Sequence, residues 1–252
     1  MHISLIIPAY NESQRLAVTV HRYAQALTAR CHPSQFEILI VANGCTDNTV
    51  EVAEQLAVSL PSLRVIEIPG AVGKGGAVVA GLRQAQGKAV MFTDADGATQ
   101  ADSLLALVAE LGQHDLVIGS RRLPESVVVQ RQPLKRRMLG TLFAGTVRTC
   151  FGLPYRDTQC GAKVFRQRAA HLLAEHIQER RWMFDVDLLL CARQLQLRVA
   201  ERPVVWEDQP GSKLNCTSTA KEVISAIYRL HRRHGSNAAI IPAQSVDVEV
   251  LR

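Results

Sequence analysis

The chain has 252 residues, 47% of them hydrophobic, which is enough for one large α/β domain or two small ones. Its 29 Lys and Arg residues outnumber 23 Asp and Glu residues, and the resulting formal charge of +6 favours an anionic partner. Aromatic residues make up only 5% and are not interleaved with basic ones, which argues against a nucleic acid as that partner.

Targeting and redox features are sparse. No run approaches 18 consecutive apolar residues, and the N-terminus lacks a basic segment followed by a long apolar stretch, so we expect neither a membrane-spanning helix nor a signal peptide. Six scattered cysteines without a C-x-x-C pair argue against a zinc site or disulfide framework. They favour reduced thiols in the cytoplasm.

Short apolar segments alternate with helical ones through the first 120 residues. The predicted strands are Ile3–Ile7, Phe36–Val41, Arg64–Ile68, Ala89–Thr93 and Leu116–Gly119. The predicted helices are Glu12–Ala29, a segment ending near Leu60, Lys74–Gln86 and Ala101–Leu111. We expect Pro8 to end the first strand and Asn11 to cap the first helix. The alternation predicts βαβ units in a doubly wound, mostly parallel sheet, a fold whose commonest ligands are nucleotides.

The rhythm changes after Gly119. The segments predicted there are a polar, basic loop over Ser120–Gln132, an amphipathic helix over Pro133–Leu153, a turn and strand over Arg156–Arg166, a helix over Phe184–Leu197, a strand over Arg198–Trp206, a loop at Gly211–Lys213 and an amphipathic helix over Ser218–His234. The tail from Gly235 shows no periodicity, and we expect it to be disordered.

A pair of carboxylates follows the fourth predicted strand. Asp94 and Asp96 are separated by one residue and precede Gly97. Alternate residues at a strand end point the same way, and open α/β sheets bind ligands beyond the carboxyl ends of their strands. The two side chains are therefore candidates to hold one hard cation, leaving positions for phosphate oxygens. A capped turn is the alternative interpretation, because Asp is common in turns.

Basic residues are predicted at the same edge of the sheet. The glycine-rich segment Gly70–Gly76 has the spacing of neither a P-loop nor a dinucleotide fingerprint, but it places Lys74 and free backbone N–H groups at a helix start, which suits a diphosphate. Arg121 follows the fifth strand and Arg131 ends the basic loop, and arginine suits bidentate contact with phosphate. The alternatives are a flexible turn and solvated charges.

The two amphipathic helices combine clustered Lys and Arg with aliphatic and aromatic residues. Such helices commonly pack on the core of their own domain. The same composition fits a helix that lies on an anionic bilayer surface. The sequence leaves both interpretations open.

Eight motifs together resemble one known family. They are IIPAYNE (6–12), NGCTDNT (43–49), GKGGAV (73–78), TDADGAT (93–99), IGSR (118–121), RDTQCGAKVF (156–165), RRWMFDVDLL (180–189) and EDQPGSKL (207–214). The chain resembles the inverting family 2 glycosyltransferases of GT-A type, most closely the dolichyl-phosphate β-glucosyltransferases. The resemblance implies a nucleotide-diphospho-sugar transferase fold in one domain over 1–234, with a nucleotide-binding half at 1–120, an acceptor-binding half at 121–234 and a tail at 235–252.

The resemblance also implies roles for particular residues. Those expected to bind the nucleotide sugar are Pro8, Ala9, Tyr10, Glu12, Asn43, Lys74, Asp94, Ala95 and Asp96. Asp94 and Asp96 are expected to hold Mg²⁺ or Mn²⁺ and, with Asp157 and Asp187, to be catalytic. Those expected on the acceptor side are Arg121, Arg131, Gln159, Lys163, Trp182, Asp185, Ser212 and Lys213, the last two on a loop that closes over the diphosphate.

The implied reaction transfers a hexose, expected to be glucose from UDP-glucose, to a polyprenyl or dolichyl phosphate at the cytoplasmic face of a membrane. The sequence departs from the family where Ala42 and Asn43 replace the usual two Asp, one of which contacts uracil. Ala98 and the segment Glu207–Gln209 differ from mannosyl-transferring relatives and favour the glucosyl branch. Three alternatives stay open: a sugar-hydroxyl acceptor with Asp185 or Asp187 as base, a nucleotidyltransferase, and an inactive nucleotide-sugar-binding regulator.

Overall fold

The computed structural model describes residues 2–130, 134–207, 209 and 216–235. The strands are β1 (Ile3–Ala9), β2 (Phe36–Asn43), β3 (Leu63–Ile68), β4 (Ala89–Phe92), β5 (Leu116–Ser120), β6 (Val127–Gln130), β7 (Lys163–Arg166), β8 (Val199–Pro203) and β9 (Val205–Glu207). The α-helices are α1 (Leu16–Thr28), α2 (Thr49–Ser59), α3 (Gly73–Gln84), α4 (Ala101–Ala106), α5 (Leu134–Phe151), α6 (Gln167–His176), α7 (Phe184–Gln194) and α8 (Cys216–His234). Short 3₁₀ segments cover Pro33–Gln35 and Leu107–Gly112.

Seven strands form one sheet in the order β3-β2-β1-β4-β7-β5-β8. All neighbours are parallel except β7, which runs antiparallel to both β4 and β5. The predicted doubly wound, mostly parallel sheet is confirmed. Because β7 is reversed, its first residue, Lys163, pairs with Phe92 and Ile118 near the carboxyl ends of their strands. A single antiparallel strand therefore adds its amino end to the edge where ligands bind in such sheets.

Alternating side chains of the strands supply two apolar layers. Leu5 and Ile7 of β1 belong to a core shared with α1, α2 and α4, whereas Ile6 faces a second core shared with α3, α6 and α7. The strand period of two thus separates neighbours in sequence onto opposite faces of the sheet. None of the helices in the described part of the chain is long and apolar enough to cross a bilayer.

The first loop differs from the prediction at two residues. β1 continues through Pro8, which lies opposite Val41, because β4 pairs with β1 only as far as Ile6 and a missing N–H is tolerated beside an open position. Asn11 does not cap α1, which begins at Leu16 after Arg15. It adopts a left-handed conformation with φ of 55°, and its Oδ1 accepts a hydrogen bond of 2.8 Å from the Thr46 backbone N–H.

Further differences lie in the second half of the chain. The predicted loop over 120–132 contains β6, which pairs in parallel with β9, and the predicted strand over 198–206 is divided into β8 and β9. The predicted helix over 101–111 changes to a 3₁₀ segment at Leu107, and α6 lies where no element was predicted. The predicted loop at 211–213 and the tail at 236–252 lie outside the described residues.

Gly75 is expected to be essential for packing between α3 and α7. An added Cβ there would lie 2.4 Å from Cβ of Phe184, a buried side chain. Gly75→Ala should therefore lower the free energy of unfolding by about 1–3 kcal/mol, measured by urea denaturation. Gly145→Ala in α5 is the matched control, because an added Cβ meets nothing within 4 Å there. An equally small effect in both variants would contradict the close contact.

Candidate active site

Asp94 and Asp96 lie just beyond β4 at the carboxyl edge of the sheet. Gly97, with φ of 69°, allows the chain to turn after them, and the Asp96 Oδ1 accepts a hydrogen bond of 3.0 Å from the Ala98 backbone N–H. Gly161, from the loop before β7, lies against the Asp94 carboxylate, where an added Cβ would be 2.1 Å from Oδ2. The two carboxylates are thus held on a tight turn beneath a second loop.

Lys74 enters the same site from the start of α3. Its Nζ lies 2.7 Å from the Asp94 Oδ1. Although burial alone would lower the pKa of the Lys74 ammonium, Asp94 and then Asp185 raise it above its ordinary value. Burial, and then the charge of Asp94, raise the pKa of Asp96. A hard divalent cation prefers oxygen ligands, and its charge would relieve the repulsion between the two carboxylates. These residues therefore fit Mg²⁺ or Mn²⁺.

A buried ion pair lies close to the Phe92 ring. The fully buried Lys163 donates from Nζ to the Asp185 Oδ1 at 2.7 Å and to the Cys160 carbonyl at 2.6 Å. The Lys163 and Lys74 ammonium nitrogens lie 5.4 and 5.5 Å from the Phe92 ring centroid, so both interact with one aromatic ring. The site therefore joins the end of β4, the start of β7 and the first turn of α7.

Arg121, which follows β5, is held by Asp157 in a planar double hydrogen bond. Its Nε donates to Oδ2 at 2.7 Å and its Nη2 to Oδ1 at 2.9 Å, while its backbone N–H donates to Oδ2 at 3.0 Å. The guanidinium carbon also lies 4.8 Å from the ring centroid of Trp206. These contacts leave Nη1 outside the pair and fix its direction.

Asp157 is itself buried and oriented. Glu201 of β8 accepts hydrogen bonds from the backbone N–H groups of Arg156 and Asp157 at 2.9 and 2.8 Å. Burial alone would raise the pKa of Asp157, but the guanidinium of Arg121 lowers it to about 2. Asp157 therefore acts as the fixed support of Arg121. Sequence reasoning missed Trp206 and Glu201, because their links to Arg121 arise from long-range strand pairing.

The residues predicted to bind the nucleotide lie at the ends of β1 and β2. Pro8 and Ala9 complete β1, and the following Tyr10 side chain is 47% exposed. The buried Asn43 ends β2, and its Oδ1 accepts a hydrogen bond of 2.8 Å from the Val72 backbone N–H, which ties β2 to the start of α3.

Glu12 and Ala95 complete the predicted nucleotide-binding set. Glu12 forms a double hydrogen bond with Arg15, with distances of 2.8 and 2.9 Å. The Arg15 charge reaches Asp96 and opposes the rise of its pKa. The Ala95 carbonyl accepts a hydrogen bond of 2.9 Å from Thr19, which fixes the backbone between the two carboxylates. Arg15 is a third residue that sequence reasoning missed, although its spacing of three from Glu12 is the signal for such a pair.

Asp187 does not share these contacts. Its Oδ2 accepts hydrogen bonds of 2.8 Å from the backbone N–H groups of Gln178 and Glu179, and its Oδ1 contacts Arg233 and His234 of α8. These are the contacts of an anchor between α7 and α8, and they do not support grouping Asp187 with Asp94 and Asp96 as a catalytic residue.

Asp187, Cys191 and His234 are residue types that bind metals, and their ligand atoms all lie within 4.8 Å of one another. However, the Arg233 Nη2 contacts both Asp187 and, at 3.2 Å, the Cys191 sulfur. A guanidinium thus already supplies the positive charge that a metal would bring.

The remaining predicted acceptor residues are less constrained. Gln159 follows Asp157 by two residues, and its buried Nε2 has no hydrogen-bond partner among the described residues. Trp182 is half-buried just before α7. Arg131, Ser212 and Lys213 lie outside the described residues.

The mostly parallel sheet, with paired carboxylates and a lysine at its carboxyl edge, has the GT-A type of fold seen in solved structural neighbours. The solved structure of glucosyl-3-phosphoglycerate synthase from Mycobacterium tuberculosis with Mn²⁺ and UDP-glucose is similar, with a TM-score of 0.64, 17% identity and coverage of 93% of this chain and 79% of that one. Residues 4–172 match glycosyl transferase family 2. The chain belongs to that family and is a glycosyltransferase.

Two relatives that carry the name of a specific activity are similar to this chain over most of its length. The dolichyl-phosphate beta-glucosyltransferase of Trichomonas vaginalis is 32% identical over 238 residues, which cover 90% of this chain and 70% of the relative. The dolichyl-phosphate beta-glucosyltransferase of Drosophila melanogaster is 34% identical over 226 residues, which cover 85% of this chain and 69% of the relative. The predicted resemblance is confirmed.

The Arg121–Asp157 pair predicts a specific loss of stability in acid. The Asp157 pKa of about 2 lies below its ordinary value of 3.8, so the pair stabilises the fold fully above that ordinary value and less as the pH falls toward 2. Asp157→Asn should lower the free energy of unfolding by about 3–5 kcal/mol at neutral pH, and the gap to the wild type should narrow by about 2 kcal/mol between about pH 5 and pH 2.5.

Urea denaturation at several pH values measures this gap. Asp102→Asn is the matched control, because Asp102 forms an ion pair with Arg30 on the surface, where its side chain is 76% exposed. A gap between Asp157→Asn and the wild type that stays constant with pH would contradict the ion pair.

Proposed function

We propose that the chain transfers glucose from UDP-glucose to a polyprenyl phosphate of the dolichyl type, with inversion at C1 and with help from Mg²⁺ or Mn²⁺. The observation that carries this proposal is the meeting of Asp94, Asp96 and Lys74 at the carboxyl edge, with a braced arginine following β5, which is separated from β4 in the sheet by β7. Similarity to dolichyl-phosphate beta-glucosyltransferases supports the glucosyl donor and the dolichyl-phosphate acceptor.

The donor side would bind the diphosphate. Asp94 and Asp96 would hold the divalent cation, which when bound neutralises negative charge on the leaving UDP. The amino end of α3 offers backbone N–H groups and Lys74 to the same diphosphate. Gly73 has φ of 81°, and an added Cβ there would lie 2.4 Å from the Arg180 carbonyl oxygen. Glycine at this position therefore allows the start of α3 to lie this close to Arg180. Lys213 is a further predicted contact.

The acceptor side would position a phosphate. A phosphate monoester is anionic at neutral pH, so its oxygen can attack C1 and displace UDP without a strong general base. Arg121 then has only to hold that oxygen in line, which its planar contact with Asp157 prepares. Arg131 is proposed as the second phosphate contact.

The buried carboxylates argue against a hydroxyl acceptor. Such an acceptor needs a general base, and the candidates are Asp185 and Asp187. Asp185 accepts a hydrogen bond of 2.7 Å from the Lys163 ammonium, and Asp187 is used by backbone N–H groups and Arg233. Both carboxylates are therefore already engaged by groups of the fold, and this arrangement does not present either one to an acceptor hydroxyl.

The same proposal places the chain at a membrane as a peripheral protein of the cytoplasmic face. Met138 and Leu142 of α5 are 65% and 69% exposed, and Ile224 and Tyr228 of α8 are 70% and 65% exposed. Each pair is spaced by four residues and so forms a stripe on one side of its helix. The two helices contact each other, and exposed arginines, including Arg232, accompany the stripes. This arrangement suits an anionic bilayer surface, where the acceptor lipid resides.

Transfer is tested with radiolabelled nucleotide sugars and polyprenyl phosphate, followed by organic extraction of the product. UDP-glucose should give a labelled lipid in the presence of Mg²⁺ or Mn²⁺. Asp96→Asn should lower turnover on the order of 100-fold or more, because the site loses a carboxylate that stabilises charge on the leaving group. Asp102→Asn, on the exposed side of α4, is the control. Near-normal turnover by Asp96→Asn would refute the cation assignment, and labelling of a soluble acceptor alone would refute the lipid acceptor.

Membrane association is tested by co-sedimentation with vesicles that contain anionic phospholipid. Replacement of Leu142 and Ile224 together by Glu should reduce the bound fraction about tenfold or more, because two exposed apolar side chains are lost and two like charges are added. Val58→Glu is the control, since Val58 on α2 is 87% exposed and belongs to neither stripe. Equal loss in the control, or no loss in the double variant, would contradict the docking surface.

A further inference from the structure

Lys74 is the cation that contacts Asp94 in this structure. Its Nζ lies 2.7 Å from the Asp94 Oδ1, and its side chain is 35% exposed, so it reaches the carboxylate from the open side of the site. Around it, Asp96 and Asp185 add negative charge, while Lys163 is committed to Asp185. One ammonium therefore balances a group of carboxylates that would otherwise repel one another.

A divalent cation that arrives alone must compete with this ammonium. It would share the Asp94 carboxylate with Lys74 and would meet a like charge at close range, which is unfavourable in a partly buried site. A diphosphate changes this balance, because its oxygens offer Lys74 a new anionic partner and offer the cation further ligands.

We propose that Lys74 is the counter-ion of Asp94 until a donor binds, and that it then moves to the diphosphate, so that a divalent cation and the nucleotide enter the site together. This inference rests on the proposed function and adds a coupling between its two ligands. Such coupling is reciprocal: the diphosphate strengthens cation binding by the same factor by which the cation strengthens diphosphate binding.

The experiment measures Mn²⁺ binding to the full chain by electron paramagnetic resonance, without and with UDP. In the wild type, Mn²⁺ alone should bind weakly, and UDP should strengthen its binding. Lys74→Met should bind Mn²⁺ alone about tenfold or more tightly than the wild type, because the competing charge is gone. It should also show weaker UDP binding and a smaller coupling between the two ligands.

Lys88→Met is the matched control. Lys88 is exposed and immediately precedes β4, so it lies at the opposite end of that strand from Asp94. Its Mn²⁺ and UDP binding should equal those of the wild type. Lys74→Gln provides a second neutral side chain of similar length should the Met variant fold poorly, and a thermal melt of each variant checks the fold.

The results distinguish failure of the counter-ion role of Lys74 from failure of the proposed cation site. Unchanged or weaker binding of Mn²⁺ alone in both Lys74 variants, together with normal Mn²⁺ binding in the wild type plus UDP, overturns the counter-ion role and leaves the cation site intact. Absence of Mn²⁺ binding by the wild type even with UDP, or no effect of Asp96→Asn on that binding, overturns the cation site and the inference with it.

Discussion

The structure depends on several carboxylates that lie together at one edge of a sheet and on the lysine side chains that balance their charge. Asp94 and Asp96 follow β4 on a turn, where burial and the charge of Asp94 raise the pKa of Asp96. Lys74 balances Asp94 from α3, and Lys163 balances Asp185 from β7. Each of these lysines belongs to a different element, so the site holds its charge only when the whole edge is assembled.

The antiparallel strand β7 has a particular role in this assembly. In a wholly parallel sheet, the amino end of a strand would lie at the edge opposite the ligand. The reversal of β7 puts Lys163 beside Phe92, and the loop before it brings Gly161 onto Asp94 and Asp157 onto Arg121. One change in strand direction thereby links Asp94 and Asp96 after β4 with Arg121 after β5.

Much of the structure of the first 120 residues could be predicted from sequence, because their apolar strands and amphipathic helices alternate and the paired Asp residues stand directly after a strand. The second half could not be predicted as well. β6 exists through pairing with β9, more than 70 residues away in the numbering, and local pattern carries no sign of it. Asn11 has the residue type of a helix cap, yet its side chain is used by Thr46 from the neighbouring loop.

The individual roles of the acidic residues were the hardest to predict. A sequence reports the charge of a carboxylate but not its partners, and those partners separate Asp157, Asp185 and Asp187 from Asp94 and Asp96. Asp157 holds an arginine 36 residues away, and Asp187 holds the end of α8. Carboxylates that resemble a catalytic set in sequence are therefore divided by the fold into ligand candidates and structural anchors.

We propose that the Asp94–Asp96 pair holds a cation against the diphosphate of a nucleotide sugar. The decisive measurement is anomalous diffraction at the manganese edge from a crystal soaked with UDP-glucose and Mn²⁺. We expect an anomalous peak coordinated by both carboxylates and by diphosphate oxygens, with the Lys74 ammonium on the diphosphate. A nucleotide sugar bound with no manganese at that pair, or manganese bound elsewhere, would contradict it.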